Sequence, residues 1–246
     1  MEIRNLTYKN NLKEINYNFD YKKIYGIIGN KENATILLEI IRGLKKQTSG
    51  SLEKNNLKVY MLFQDSENQL FCKTVKDDIL YGLNQSEVDL SQIMDKINLD
   101  QSVLDKNYLD LSAGERRKIV IASMLAFDPD VILLDNFLNL LDFRSQKEFV
   151  KLLKELQFNE HKTVIVSDQN INLLYEIVDE VVVLENEIIL SGNKYDVFAN
   201  DELLVDLNIG IPDYIKFSNL AKTRKNIDLP YRDRITDIVK DVYDNV

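Results

Sequence analysis

The chain contains few of the residues on which several common kinds of functional site depend. Its 246 residues include one cysteine and one histidine, Cys72 and His161. A single cysteine excludes an internal disulfide framework and is typical of a reducing cytosol. Because the two residues lie far apart in sequence, we do not expect Cys72 to act as a catalytic nucleophile activated by His161.

Long apolar runs are also missing. The longest, residues 119–127, has about half the roughly 18 residues that suggest a membrane-spanning helix. The N-terminal stretch MEIRNLTYKN has no apolar core resembling a secretory signal. The net charge of −9 argues against a nucleic-acid binder that neutralises phosphates broadly. The same charge is compatible with docking onto basic segments of a protein partner.

Glycine is scarce as well, with eight residues in the chain. A phosphate-cradling loop normally uses several glycines, because they let backbone N–H groups approach the phosphate oxygens. The scarcity therefore bears directly on any nucleotide site.

The hydrophobic pattern predicts an α/β domain, since short apolar runs alternate with segments of helical period. One apolar stripe, at residues 149, 152, 153 and 156, follows the i, i+3, i+4, i+7 spacing of a helix. The predicted strands are residues 23–28, 59–63, 131–134, 163–167, 181–184 and 188–190, and the predicted helices are 35–42, 74–81, 87–97, 114–126 and 145–156.

The pattern changes after Asn200. Apolar residues at 235, 238, 239 and 242 have helical spacing. Two interpretations remain open at this point: a terminal helix packed on its own domain, or an appendage for dimerisation or regulation.

Two motifs in the middle of the chain carry chemical information. The first consists of Leu111, Ser112, Ala113, Gly114 and Glu115, directly before a predicted helix. A serine and a glycine at a helix N-terminus offer a hydroxyl, free N–H groups and the positive end of the dipole, which suit a γ-phosphate. The second is the apolar strand 131–134 followed by Asp135, a placement that suits a magnesium ion.

Together these motifs resemble the signature and Walker B motifs of ABC transporter ATPases. Upstream, Gln64 follows a predicted strand and precedes the segment QLFCKTVKDDI, which resembles the Q-loop region of energy-coupling-factor ATPases. A strand, a loop and a helix before that have the frame of a Walker A segment, and Asp142 matches the D-loop aspartate. The resemblance covers about residues 1–200 in the family's motif order.

The resemblance implies a P-loop NTPase-type ABC nucleotide-binding domain with an antiparallel β subdomain and a helical subdomain. We expect the domain to span residues 1–200, with the helical subdomain at about 65–128, and residues 201–246 to form a C-terminal extension. The implied Mg²⁺ ligands are Asp135, Gln64 and Thr35.

The chain departs from the family where a subunit binds its own nucleotide. The degenerate Walker A segment consists of Gly29, Asn30, Lys31, Glu32, Asn33, Ala34 and Thr35. One residue is missing relative to GxxxxGK[ST], and neither possible register places a lysine at the lysine position. Asn136 replaces the glutamate that polarises the attacking water, and Asp168 replaces the switch histidine.

These losses favour a heterodimer with one competent composite site. In ABC dimers, each ATP lies between the Walker motifs of one subunit and the signature of the other. The resemblance therefore predicts a degenerate subunit that donates its signature to a second, competent ATPase subunit, with ATP and Mg²⁺ at their interface. A competent ATPase with unusual nucleotide binding and a soluble scaffold are the alternatives.

The resemblance also implies membrane partners. These are a transmembrane coupling protein and a substrate-binding membrane subunit, with this chain peripheral at the cytoplasmic face of the cell membrane. The acidic residues of the Q-loop region, at 65, 67, 77 and 78, either pair with basic residues of the coupling protein or form a solvated face.

Overall fold

The computed structural model describes residues 1–84, 87–233 and 235–245. The strands are β1 (Glu2–Tyr8), β2 (Leu12–Asn18), β3 (Ile24–Gly29), β4 (Ser49–Glu53), β5 (Val59–Leu62), β6 (Val131–Asp135), β7 (Thr163–Ser167), β8 (Glu180–Leu184) and β9 (Ile188–Asn193). The helices are α1 (Lys31–Arg42), α2 (Val75–Ile79), α3 (Leu90–Lys96), α4 (Ala113–Phe127), α5 (Phe143–Asn159), α6 (Ile171–Ile177), α7 (Lys194–Phe198), α8 (Asp201–Asp206), α9 (Asp213–Lys225) and α10 (Ile235–Asn245).

The strands form two sheets. The larger has six strands in the order β5-β6-β7-β3-β8-β9, and its neighbours pair in parallel except for the antiparallel pair β8–β9. The smaller has the order β2-β1-β4 and is antiparallel. This arrangement confirms the predicted α/β class and its antiparallel β subdomain.

The central strands are apolar on both faces because both faces are covered. On one face, β6 residues Ile132 and Leu134 pack with α4, α5 and α6. On the other face, Leu133 packs with α1 and with the smaller sheet. All five residues of β6 are buried, as a continuous apolar run in a parallel strand requires.

Several element boundaries differ from the predicted ones. The helix predicted at 35–42 begins at Lys31, because Asn30 caps it. The helix predicted at 87–97 begins only at Leu90, where Asp89 is the cap. Strands β1, β2 and β4 had no individual prediction, and positive φ angles at Asn5 and Glu14 interrupt the regular alternation.

The carboxyl ends of β3, β5, β6 and β7 meet at one edge of the larger sheet, because these strands are parallel. Gly29, Asp135 and Asp168 therefore lie at the same edge, each at or directly after the end of a strand. This edge is where open α/β sheets bind ligands, and it is the candidate site.

The C-terminal segment begins on the core and ends partly exposed. Leu204 of α8 and Ile215 of α9 are fully buried. In α10, Ile238 is buried, whereas Val239 is 46% and Tyr243 81% exposed. Both interpretations of this segment therefore stay predictions. Within the described ranges, we find no helix with the length and apolar composition needed to cross a lipid bilayer.

Candidate functional site

The turn after β3 leads directly into a helix. Gly29 has a φ of +107°, and a Cβ on it would lie 2.5 Å from the carbonyl oxygen of Leu184, so this position requires glycine. The side chain of Asn30 accepts a hydrogen bond from the N–H of Asn33 at 3.1 Å. The predicted helix at 35–42 left residues 31–34 in a loop, but α1 already begins at Lys31, so these residues are helical.

Asn33 fixes this helix start to the turn between β8 and β9. The residue is 2% exposed. Its amide nitrogen donates to the carbonyl oxygen of Glu185 at 3.0 Å and to Oδ1 of Asn186 at 3.1 Å. Its amide oxygen accepts from Nδ2 of Asn11 at 3.1 Å. These three bonds hold the start of α1 against that turn.

Thr35 and Asp135 are brought together across the sheet edge. The Thr35 hydroxyl donates to Oδ1 of Asp135 at 2.9 Å. Burial raises the pKa of the Asp135 carboxyl, and the hydrogen bond from Thr35 opposes that shift. Gln64 is exposed, two residues beyond the end of β5, and its assignment as a magnesium ligand stays a prediction. The described residues contain no group of three or more His, Cys, Asp and Glu that could hold a metal ion.

The side chain of Asn139 connects Asn136 and Asp168, which occupy the positions of the family's catalytic glutamate and switch histidine. The Asn139 side-chain nitrogen donates to Oδ1 of Asn136 at 2.8 Å and to Oδ1 of Asp168 at 2.7 Å. Asn136 has a φ of +50°, and its N–H donates to the carbonyl oxygen of Ser167 at 2.7 Å. Asn139 therefore holds the side chains of both positions together within the chain.

Asp168 is the most constrained member of this group. It is 1% exposed, and Oδ1 also accepts from the N–H of Asn170 at 2.8 Å. Its Oδ2 is buried and has no hydrogen-bond partner among the described residues. Burial raises the pKa of this carboxyl, against the opposing effect of its hydrogen bonds.

We expect Asp168→Asn to stabilise the fold at neutral pH by about 1 kcal/mol, because a neutral amide is less costly to bury than a carboxylate. The raised pKa means that the folded state binds the proton more tightly than the unfolded state. The stability that wild-type protein gains from this group is present at low pH and lost as the pH rises through the folded pKa. Urea unfolding at pH 7 and pH 4 measures the difference. If Asp168→Asn changed the free energy of unfolding equally at both pH values, the buried carboxylate would not be the source of the cost.

Residues 112–114 form an exposed helix start after the buried Leu111. The Ser112 hydroxyl accepts from the N–H of Glu115 at 3.3 Å, and the Glu115 carboxylate accepts from the N–H and the hydroxyl of Ser112 at 2.8 and 2.7 Å. This is a capping box at the first turn of α4, and its hydrogen bonds lower the pKa of Glu115. A Cβ on Gly114 would meet no atom within 4 Å, so the space above the helix start is open.

Asp142 also acts as a helix cap. Its carboxylate accepts from the N–H groups of Arg144 and Ser145, both at 3.0 Å, and from the Ser145 hydroxyl at 2.7 Å. The bonds from Ser145 hold the pKa of Asp142 below its usual value. A narrow cleft beside it is also lined by Gly114, so the cap of α5 and the start of α4 face each other.

Comparison with known proteins identifies the family. The model of the ABC transporter family matches residues 12–139. The energy-coupling factor transporter ATP-binding protein EcfA1 of Mycoplasma mobile is 33% identical over 94% of this chain and 92% of its own length. This chain belongs to the energy-coupling-factor type of ABC transporter ATPases. The corresponding EcfA2 protein of Staphylococcus aureus is 28% identical over 83% of this chain and 80% of its own length.

A solved structure agrees with that assignment. CbiO1 from Clostridium perfringens, described as part of the ABC transporter complex cbiONQ, superposes with a TM-score of 0.70 at 25% identity, covering 89% of this chain and 98% of that one. The dimeric ABC cassette MJ0796 superposes with a TM-score of 0.66 at 21% identity, covering 78% of this chain and 97% of that one. The predicted nucleotide-binding-domain fold of the ABC family is thereby confirmed.

The structure changes the interpretation of the acidic residues in the family's Q-loop region. Asp78 is 6% exposed, and its Oδ1 accepts from the N–H groups of Phe71 and Cys72, both at 2.9 Å. Glu67 is paired with Arg116 at 2.6 Å. Asp78 is therefore not part of a solvated face, whereas Glu67 is partly exposed and paired within the chain. Pairing of the acids at 65, 67, 77 and 78 with basic residues of a coupling protein stays a prediction. The acids at 65 and 77 are exposed.

Sequence reasoning missed Asn139 and the Glu67–Arg116 pair. Neither belongs to a motif that defines a site, and both depend on contacts between segments far apart in sequence. A weak signal existed for Asn139, since it follows Asn136 by three residues in a short turn, a spacing at which side chains face each other. His161 lies exposed between α5 and β7.

Proposed function

We propose that this chain is the catalytically degenerate partner in an ATPase heterodimer of an energy-coupling-factor importer, and that it donates Leu111–Glu115 to the partner's ATP site. One observation carries the proposal. The chain's own phosphate-binding segment is a capped helix from Lys31, whereas Gly114 of its signature segment has open space beside its Cα.

The chain's own half-site does not fit a nucleotide. A phosphate cradle needs consecutive backbone N–H groups pointing at the ligand, but here the N–H of Asn33 is capped by Asn30 and the N–H of Ala34 bonds the carbonyl oxygen of Asn30. Thr35 and Asp135 supply oxygens of the kind that Mg²⁺ prefers, yet Mg²⁺ in ATPases is held by a few protein ligands together with substrate phosphates. Without a phosphate cradle, these oxygens do not make a complete site.

The same half-site lacks the catalytic carboxylate and the histidine that ATP hydrolysis requires in this family. An amide at Asn136 cannot act as a carboxylate base. Asp168 supplies a carboxylate where a histidine would donate to the γ-phosphate, and Asn139 holds it in place. Losing such groups lowers rates by about 10²–10⁴ each, so we propose that no turnover occurs there.

The donated half-site keeps what a γ-phosphate needs. Ser112 is exposed, and a hydroxyl can rotate from Glu115 toward another acceptor. The first N–H groups of α4 and its positive dipole end point toward the same space. ATP and Mg²⁺ would be held mainly by the partner's Walker motifs, with the γ-phosphate against Ser112 and Gly114.

A groove beside the Q-loop segment suits a transmembrane partner. Its volume is about 330 Å³, and its lining includes Tyr60, Phe71, Tyr81 and Phe127. Phe71 and Tyr81 are 60% and 66% exposed, and their rings meet edge to face at 4.9 Å. An exposed aromatic pair of this kind marks a protein-binding surface. We propose that the transmembrane coupling protein docks here and that a separate membrane subunit binds the substrate.

We also propose where the chain lies in the cell and where its domains begin and end. The chain would lie peripherally at the cytoplasmic face of the membrane, with residues 1–200 as the cassette, about 65–128 as its helical subdomain and 201–246 as the extension.

The test of the degenerate half-site is ATP binding by the isolated chain. We expect no saturable binding of ATP with Mg²⁺ at micromolar concentrations by calorimetry, and no hydrolysis, because the phosphate contacts are missing. The competent partner, measured alone under the same conditions, is the positive control. Micromolar affinity or turnover by the isolated chain would support the competent-ATPase alternative and reject the proposal.

A further inference from the structure

We propose that Arg116 is a positioning residue that connects the coupling surface to the donated signature through Glu67. This inference rests on the proposed function, because it assumes that the signature serves a partner's site and that the groove binds a transmembrane protein. In this inference, the contacts of Arg116 with Glu67 and with the Leu111 backbone transmit movement from the groove to the signature.

The bridge joins two segments that are far apart in sequence. Nε of Arg116 donates to Oε2 of Glu67 at 2.6 Å. Nη1 of the same guanidinium donates to the carbonyl oxygen of Leu111 at 2.6 Å. Leu111 is buried and directly precedes Ser112. One planar group therefore holds both the Q-loop segment and the backbone that presents the signature serine.

Glu67 lies in a short helical turn, residues 66–69, between the end of β5 and the exposed aromatic pair. A second arginine also contacts Glu67, with Nη2 of Arg117 at 3.7 Å from Oε1 of Glu67. The three side chains are between 24% and 36% exposed, so the bridge is partly shielded from water.

The same segment is fixed at two other points, and neither reaches the signature. Gln69 donates to the carbonyl oxygen of Met61 at 3.2 Å, which ties the segment to β5. Asp78 accepts from Phe71 and Cys72, which ties it to α2. Of these three ties, only the one through Glu67 ends at the start of α4. A displacement of Phe71 by a bound partner would thus reach the signature through Glu67 and its arginine.

The substitution Arg116→Lys distinguishes a positioning role of Arg116 from a merely stabilising one. A lysine at 116 could keep the ion pair with Glu67, but a single ammonium lacks the rigid fork that contacts Glu67 and the Leu111 carbonyl together. A merely stabilising pair would tolerate Arg116→Lys, because partly exposed ion pairs contribute little to stability. A positioning bridge would not.

The experiment uses the complete reconstituted complex, with this chain, its partner ATPase and the membrane subunits. It measures substrate transported per ATP hydrolysed for Arg116→Lys and Glu67→Gln. We expect this ratio to fall at least about fivefold for both variants, the lower end of usual coupling factors. The control is Glu155→Gln, which removes the exposed pair Lys151–Glu155 on α5 and should keep the wild-type ratio. Thermal unfolding of each variant establishes that all are folded.

Three results would overturn the inference: an unchanged ratio for Arg116→Lys, an unchanged ratio for Glu67→Gln, or an equal fall for Glu155→Gln. The proposed function fails by a different measurement, since it predicts that blocking Ser112 removes hydrolysis itself. A fall in substrate transported per ATP hydrolysed and a loss of hydrolysis itself can therefore be told apart.

Discussion

Replacing Ser112 with arginine lowers ATP hydrolysis by the assembled ATPase pair at least about 100-fold, which is the usual effect of removing a group that stabilises transition-state charge. The substitution removes the hydroxyl that we propose contacts the γ-phosphate. It also places a long side chain in the open space beside Gly114. Steady-state hydrolysis at saturating ATP measures the effect.

The matched control lies on the other side of this chain. Asn136→Gln should change the rate of hydrolysis by less than about twofold. Residue 136 belongs to the half-site that we propose binds no nucleotide, and a general base affects the rate only at a site where hydrolysis takes place. Ser112→Ala separates loss of the helix cap from obstruction, because cap removal costs about 1 kcal/mol of stability. Wild-type hydrolysis by the Ser112→Arg pair would rule out a donated signature.

Phe137→Ala destabilises the chain by about 3–5 kcal/mol, the cost of deleting a fully buried aromatic ring. Phe137 is 0% exposed, directly follows Asn136, and meets Phe149 of α5 edge to face at 5.5 Å. The ring anchors the turn that carries Asn139 to the core, so its loss leaves a cavity beneath the site. Chemical denaturation of the isolated chain measures the change in the free energy of unfolding.

Phe158→Ala is the control for that measurement. Phe158 lies on α5, the helix that carries Phe149, but it is 77% exposed. Its truncation to alanine should change the free energy of unfolding by no more than about 0.5 kcal/mol. Similar losses for the two variants would show that Phe137 is not packed as described.

The central sheet was predictable from sequence because its strands are buried on both faces. The run at 131–134 has no polar residue, and a short continuous apolar run in an α/β chain indicates a strand of a covered parallel sheet. Strand β7 was predicted with its observed limits. The smaller sheet was harder, since Asn5 and Glu14 adopt positive φ angles that break the alternation by which a strand is recognised.

The site was predictable only where one residue type defines a role. The motif positions 135, 136 and 168 follow from the ends of strands, which the pattern locates. The contacts that close the half-site do not, because Asn33, Asn139 and Asn186 are ordinary polar residues until the fold brings them together. The helix at Lys31 was missed for a local reason: a missing residue and an asparagine cap turn a loop frame into a helix start.

The most direct test of the account is the number of nucleotides that the assembled pair holds. The partner's catalytic carboxylate is replaced by its amide so that ATP is trapped without hydrolysis, and bound nucleotide is counted per pair after rapid removal of free ATP. One ATP per pair is predicted, held by the partner's Walker motifs against Ser112 and Gly114 of this chain. Two ATP molecules per pair would show that the half-site behind Lys31 binds nucleotide, and would contradict the account.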